Sequence, residues 1–318
     1  MTPPLDDILD RLHVVALPMR VKFRGITVRE VALIDGPEGW GEFGAFGEYE
    51  PPEAAHWLAA ALESAYHQLP QPLRDCIPIN ATVPAVEAER VPEVLARFPG
   101  ARTAKVKVAE PGQTLADDVA RVEAVRALIP TVRVDANGGW TLDQAVEAAK
   151  SLGALEYLEQ PCATVAELAE LRRRIDTPVA ADESIRKATD PLAVTKAGAA
   201  DIAVLKVAPL GGISVLLNIA EQIGIPVVVS SAIDSAVGIA TGLRAAAVLP
   251  ELQHACGLGT GSLFVDDIAD TPAQKDGYLP VQPVVPDPAR LHALAASPQR
   301  RDWWIDRVRT CHRLLADR

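Results

Sequence analysis

One feature limits this chain's fold more than any other: a regular beat. Short β-branched runs, each closing on a polar side chain, recur along its middle. Their marker residues Lys107, Asp135, Glu159, Asp182, Lys206 and Ser230 stand 28, 24, 23, 24 and 24 residues apart. The runs are TAKVKV (103–108), TVRVDAN (131–137), LEYLEQP (155–161), TPVAADES (177–184), DIAVLKV (201–207) and IPVVVSSA (225–232). INATVPA (79–85) precedes them and LQHACGLG (252–259) follows. Between them lie stretches with helical spacing, such as 114–129 and 141–153, the second opened by a capping Thr141 and closed by Gly153. Strand and helix alternating about every two dozen residues predict an α/β fold, a barrel of eight strands. The rival is an open doubly wound sheet. Polar residues close many successive strands, where such a sheet has one switch point. The barrel is the better expectation.

Residues 1–78 break the beat. KFRGITVREVALID (22–35) reads as hairpin material, 36–53 as a glycine-rich loop and 51–69 as an amphipathic helix opening on proline. The end of the chain is rich in Pro and Asp before a helical stretch, 301–315, that carries Trp303 and Trp304. The expected organisation is an α+β cap over 1–78, a barrel over 79–262, and a tail, 263–318, packing back on the cap. Cap loops at about 17–25 and 44–51 are expected over the barrel mouth, with Arg20 and Arg24 read as surface residues.

The net charge of −11 leaves no basic stripe for nucleic acid. The most apolar region, 225–249, is interrupted by Asp234 and Arg244, so no membrane span is expected. The acidic start MTPPLDDILD lacks the pattern of a signal peptide. Cys76, Cys162, Cys256 and Cys311 lie far apart with no CxxC pair, and read as buried free thiols. A soluble cytoplasmic protein acting on a small molecule is the expectation.

Side chains at i and i+2 of a strand share a face, so Lys105 and Lys107 set two ammonium groups side by side. On an edge strand that would be a solvated face. At a barrel mouth it meets other polar residues, because barrel chemistry gathers at the C-terminal ends of the strands. There Asp135, Glu159 and Asp182 would repel one another unless a hard cation joined them, and an all-oxygen set suits Mg²⁺, with Mn²⁺ able to substitute. Lys107 and Lys206, on strands two and six of eight, would face each other across it. Lys105 would lower the proton affinity of Lys107, and Lys107 that of Lys105, making a base. Asn137, Glu183, Ser230 and Ser231 complete the polar set. Taken singly, DANGGW could be a turn and ADES a helix cap. Together they suit proton abstraction next to a carboxylate, where cations must stabilise an enolate.

In KVK, VDANGGW, LEQP, ADES and LKVAPLGG the chain resembles the enolase superfamily, muconate-lactonizing subgroup, over nearly its whole length. A lysine or histidine base with one or two Mg²⁺ is a known property of that superfamily, not a deduction from this chain. The resemblance implies a (β/α)7β modified TIM barrel under an α+β cap, with Asp135, Glu159 and Asp182 as metal ligands. It also implies Lys107 and Lys206 as opposed lysines and Lys105 as auxiliary. WGEFGAFGEYEP (40–51), INATVPA and HACGLGTGSL (254–263) are most similar to the actinobacterial o-succinylbenzoate synthase family. That implies a Mg²⁺-dependent dehydration of a cyclohexadiene carboxylate in menaquinone biosynthesis. Lys107 would then act as base and acid on one face and Lys206 as a cation, with Asn137, Ser230 and Ser231 as substrate contacts. N-acylamino acid racemase, dipeptide epimerase and cycloisomerase share the first step and are the alternatives; a barrel that only binds is a further one. The CGLGTGS stretch (256–262) lacks the acidic pair that marks epimerases.

Overall fold

In the computed structural model the antiparallel strands β1 (Leu12–Phe23), β2 (Ile26–Asp35) and β3 (Trp40–Phe43) come first, then a short β4 (Cys76–Pro78). Seven parallel strands follow: β5 (Ala81–Val83), β6 (Thr103–Lys107), β7 (Thr131–Asp135), β8 (Leu158–Glu159), β9 (Val179–Ala181), β10 (Ile202–Lys206) and β11 (Val227–Ser230). Each pairs with its neighbours in chain order, and β12 (Tyr278–Pro280) pairs back on β4. The structure describes every residue except Met1, Arg24, Ala188, Thr189, Thr271, Asp317 and Arg318.

Alternation along the strands separates two faces. Ala104 and Val106 on β6, Val132 and Val134 on β7, and Ala203 and Leu205 on β10 join the core beneath the helices. The intervening residues Thr103, Lys105, Lys107, Arg133, Asp135 and Lys206 therefore project into the barrel. Three helices start on the same device. Thr114, Thr141 and Thr164 each accept from the N3 backbone while Asp117, Gln144 and Glu167 bond back to the cap N–H. Such a cap contributes about 1 kcal/mol. Gly153, at φ +69, lies just past the second of these helices, as its sequence predicts.

The eighth strand is shorter than its sequence suggests. Of 252–259, only Cys256 and Gly257 pair, Cys256 with Ile79 and Gly257 with Ser230, both in parallel. Asn80 N–H donates to Cys256 O (3.0 Å) and Gly257 N–H to Val229 O (2.8 Å), so this stub joins the two edges of the sheet. A Cβ on Gly257 would fall 2.4 Å from Ser230 Oγ and 3.1 Å from Ser230 Cβ, so a larger residue there would force Ser230 to shift.

The cap hairpin starts ten residues earlier than predicted. β1 runs from Leu12, and its register with β2 shifts between Pro18 and Phe23. Proline cannot donate to a ladder, and beyond it the strand edge turns to the tail: Met19 bridges Phe264 and Val265 N–H donates to Pro18 O. In the helix Pro298–Ala316, Trp304 is buried, edge-on to Phe43 at 5.4 Å, and donates from Nε1 to Glu30. Glu42 on β3 ties the cap to the barrel, its Oε2 accepting from Ser235 N–H (2.9 Å) and Gly238 N–H (3.2 Å) at the start of the helix Ala236–Val248. We propose the boundaries 1–78, 79–262 and 263–318 as cap, barrel and returning tail; Leu279 on β12 nevertheless packs into the barrel core.

Candidate active site

The ends of β6 to β11 bring the sequence-marked residues into one mouth. Register fixes the neighbours: Lys107 lies beside Asp135, Asp135 beside Glu159, and Lys206 beside Ser230. Lys107 Nζ donates to Asp135 Oδ2 (2.5 Å) and Asn137 Oδ1 (2.6 Å). One layer deeper, Lys105 Nζ donates to Glu159 Oε1 (2.9 Å) and lies 3.3 Å from Asp135 Oδ2. Across the barrel Lys206 Nζ donates to Asp182 Oδ2 (2.6 Å). Arg186, one turn on, holds Asp182 Oδ1 at 2.9 Å and donates to the Tyr49 hydroxyl at 2.8 Å. Lys107, Lys206, Asp135, Asn137, Ser230 and Ser231 line a single narrow cavity.

The turn readings and the site readings coexist. Asn137 (φ +47) and Gly138 (φ +76) do form a left-handed turn. That turn points Asn137 Oδ1 at Lys107 while its Nδ2 donates to Glu183 Oε1 (3.1 Å). Asp182 occupies an N-cap position, but its side chain does not cap, being held by Lys206 and Arg186. Gln160 takes over that duty: its Oε1 accepts from Asp182 N–H (3.0 Å) and Ser184 N–H (3.1 Å). Ser231 Oγ donates to Gly257 O (2.8 Å) and lies 2.8 Å from Thr260 Oγ1, while Ser230 Oγ is a longer 3.5 Å from Gly257 O.

Charge balance is uneven. Burial pushes the Asp135 carboxyl up, but Lys107 and Lys105 outweigh it and hold it well below the usual range. Asp182 is likewise held low by Lys206 and Arg186 against its burial. Glu159 goes the other way: burial first, then the Asp135 charge, push it up to about 7. Lys107 is lowered, by burial first and by Lys105 as well, with Asp135 opposing. Lys105 departs from the sequence expectation of mutual lowering. Burial favours its neutral form, but Glu159 and Asp135 override it, and its proton affinity rises. The pair is therefore asymmetric: the proton affinity of Lys105 is raised and that of Lys107 lowered.

The carboxylates are turned onto ammonium groups, and among the described residues no three His, Cys, Asp or Glu side chains stand grouped as a metal cage. The donors nevertheless fit a hard cation. Asp135, Glu159 and Asp182 are all-oxygen groups at adjacent strand ends, and Glu159 Oε2 is buried with no hydrogen-bond partner.

Known proteins place this geometry. Residues 88–287 match the family model described as enolase C-terminal domain-like, and 14–65 the enolase N-terminal domain-like model. The chain is 75% identical over 316 residues to the o-succinylbenzoate synthase of Mycolicibacterium smegmatis, covering 98% of each chain. The chain belongs to the o-succinylbenzoate synthase family of the enolase superfamily. The Mycobacterium marinum member of that family is 74% identical over 314 residues, 98% of this chain and 96% of that one. Among solved structures, the muconate lactonizing enzyme from Pseudomonas fluorescens complexed with muconolactone superposes with a TM-score of 0.77 at 22% identity, over 90% of this chain and 98% of that one. The N-succinyl Arg/Lys racemase from Bacillus cereus gives 0.76 at 20%, over 90% and 97%. These two likenesses establish the superfamily fold.

Several side chains of the mouth escaped the sequence. The loop expected at about 17–25 is strand up to Phe23, the last residue of β1, whose ring lies 5.4 Å from Lys107 Nζ, and Thr82 and Thr260 line the same cavity. Tyr49 brings in the second cap loop. Arg186 carried a readable signal, lying four residues after Asp182 on a helical turn. Phe23 carried none. Arg20 is exposed, donating to Val265 O (3.3 Å), and Arg24 lies outside the described residues.

Proposed function

We propose that this chain catalyses the syn-dehydration of 2-succinyl-6-hydroxy-2,4-cyclohexadiene-1-carboxylate to o-succinylbenzoate, a step of menaquinone biosynthesis. The observation that carries the reading is the pair Lys107 and Lys206, on the second and sixth strands of the barrel, lining one cavity with Asp135 between their elements. Full-length likeness to the synthase family supplies the substrate.

Lys107, neutral at the start, takes the proton α to the ring carboxylate, breaking C–H and leaving an enolate. The resulting ammonium gives that proton to the departing hydroxyl on the same face. The C–O bond breaks, water leaves and the ring becomes aromatic. Lys206 remains an ammonium, fixed by Asp182, and stabilises the enolate from the opposite side. Asn137 steadies the Lys107 ammonium at 2.6 Å, and Lys105 keeps positive charge next to Glu159 and Asp135. Ser230 and Ser231 are placed to meet the succinyl end.

Asp135, Glu159 and Asp182 would hold a divalent cation, Mg²⁺ or Mn²⁺. When bound it supplies positive charge for the substrate carboxylate. Among the described residues no helix is long and apolar enough to cross a membrane, and a cytoplasmic location goes with the proposed reaction.

Incubation with Mg²⁺ and the cyclohexadiene substrate, followed by ultraviolet absorbance as diene becomes benzene, tests the reading. Turnover abolished by EDTA and by Lys107→Ala is expected. A folded, Mg²⁺-binding protein that leaves this substrate untouched would overturn it, and racemisation of N-succinyl amino acids would then be assayed.

A further inference from the structure

A second cavity, of about 330 Å³, lies outside the barrel wall. The helix Ala236–Val248 contributes Ile239, Ala240 and Leu243, and Leu258 and Leu279 close its other sides. The walls are mostly apolar, and the volume is at the small end for a ligand site. Its polar groups are nearly all engaged. Asp267 accepts from Ala236 N–H (3.0 Å) and Ile268 N–H (2.7 Å), Ser262 Oγ donates to Gly259 O (3.0 Å), and Gln274 Nε2 donates to Pro99 O (3.1 Å).

The exposed Gln282 apart, Arg97 is the exception. Its Nη2 donates to the exposed Glu93 (2.5 Å), but its Nη1 is buried with no partner. A guanidinium nitrogen removed from water without an acceptor is destabilising, and a carboxylate is its best-matched acceptor. Apolar walls, room for a small ring and one unsatisfied cationic donor specify a ligand chemistry.

We propose that this cavity is a second ligand site, taking a small apolar carboxylate with its anionic group on Arg97 and its body against Ile239, Ala240 and Leu243. The site is separate from the lysine mouth but shares a wall with it. Gly257 and Thr260 line the mouth, whereas Leu258, Gly259, Gly261 and Ser262 line the second cavity, so one short loop serves both. Through Gly257 O and Thr260 Oγ1 that loop also holds Ser231. Occupation of the second cavity is therefore felt at the mouth as a stiffer loop.

The test uses the full chain and 4-isopropylbenzoate as probe, with 4-isopropylbenzamide as its uncharged counterpart, by titration calorimetry. A probe of about a dozen heavy atoms should bind with a dissociation constant on the order of 100 µM. The amide and Arg97→Gln should each weaken binding about tenfold, and Ala240→Phe, which fills the cavity, should abolish it. Binding at the second cavity should persist in Lys206→Ala, because the mouth is a separate carboxylate site. Amide exchange over 256–263 should slow in the wild type when the probe is bound. Thermal melts verify that Ala240→Phe is folded, and Arg97→Gln, a surface-reaching residue, tests the site independently of that variant. Absence of binding, or binding lost in Lys206→Ala but intact in Arg97→Gln, would overturn the site; binding without protection of 256–263 would overturn the coupling.

Discussion

Two buried ion networks are stacked inside the barrel, one at the mouth and one at the floor, and they use different cations. At the floor, Arg133 is fully buried. Its Nε donates to Glu156 (2.8 Å) and its Nη1 to the Tyr157 hydroxyl (2.7 Å) and Ala255 O (2.9 Å), with the guanidinium 4.5 Å from the Tyr157 ring centre. Nη2 is 2.6 Å from the same Glu156 oxygen, an ion pair without hydrogen-bond alignment, and His254 Nδ1 meets the other oxygen at 2.7 Å. At the mouth the cations are lysines. Arginine keeps its proton in proteins, whereas a buried lysine can be moved into a range where it exchanges one. The directions agree: the neighbours of Arg133 raise its proton affinity despite burial, while burial and Lys105 lower that of Lys107. Each site leaves one buried atom without a hydrogen bond, Arg133 Nη2 at the floor and Glu159 Oε2 at the mouth; the first is a donor beside Glu156, the second an acceptor open to a cation. The floor is built to hold charge; the proposed reaction asks the mouth to exchange it.

Replacing Lys107 should break the contrast most sharply. Lys107→Ala is expected to lower kcat about 10³–10⁴-fold, the contribution of a general acid–base group, with the melting temperature little changed. Lys107→Arg should be nearly as inactive, since it restores charge without a releasable proton; appreciable rates in the Arg variant would remove Lys107 from the proton path. At the floor the pattern reverses. Arg133→Met leaves Glu156 and Tyr157 without their cation, and about 3 kcal/mol of stability should be lost in denaturant titration. Conversely, a stable Arg133→Met protein would mean that the floor network contributes no more than a packed apolar layer. Smaller again is Glu159→Gln, expected to weaken Mg²⁺ binding about 10–100-fold in calorimetry with the fold retained. Unchanged affinity would exclude Glu159 from the cation site.

How far the sequence reveals this arrangement depends on the range of the interaction. Thr141 and Gly153 mark a helix because capping is local, and both ends are found where those residues predict. The mouth is legible because a strand end recurs at a fixed interval, so Lys107, Asp135, Glu159, Asp182 and Lys206 announce themselves by spacing. Lys105 shows the limit. Its neighbour in sequence suggests repulsion, yet its pKa follows Glu159, 54 positions away, which it meets only across two strand pairings. β1 was hidden behind Pro18, which reads as a break and is accommodated as a register shift at a strand edge. Phe23 reaches Lys107 from a different layer of the molecule, and no periodicity encodes that contact. Arg133 sits two residues before Asp135 on the same inward face, so alternation alone could have placed it inside.

The finest test of the comparison is the acid stability of the floor. Burial raises the Glu156 carboxyl, but the bonds from His254 and Arg133 outweigh it and hold it below its ordinary value of 4.5. A carboxyl depressed in the folded state favours folding above its unfolded value, and that contribution disappears as pH falls through the lower folded value. Stability should therefore be level near neutrality and decline from about pH 4.5 downwards, with part of the slope belonging to Glu156. Glu156 is partly solvated, so its share is on the order of 1 kcal/mol or less. In Glu156→Gln, denaturant midpoints should be slightly lower at pH 7 and should converge with the wild type as the pH approaches 3. Parallel curves that never converge would mean that Glu156 acts through shape and not through charge, and the floor would then be a packing device with an arginine in it.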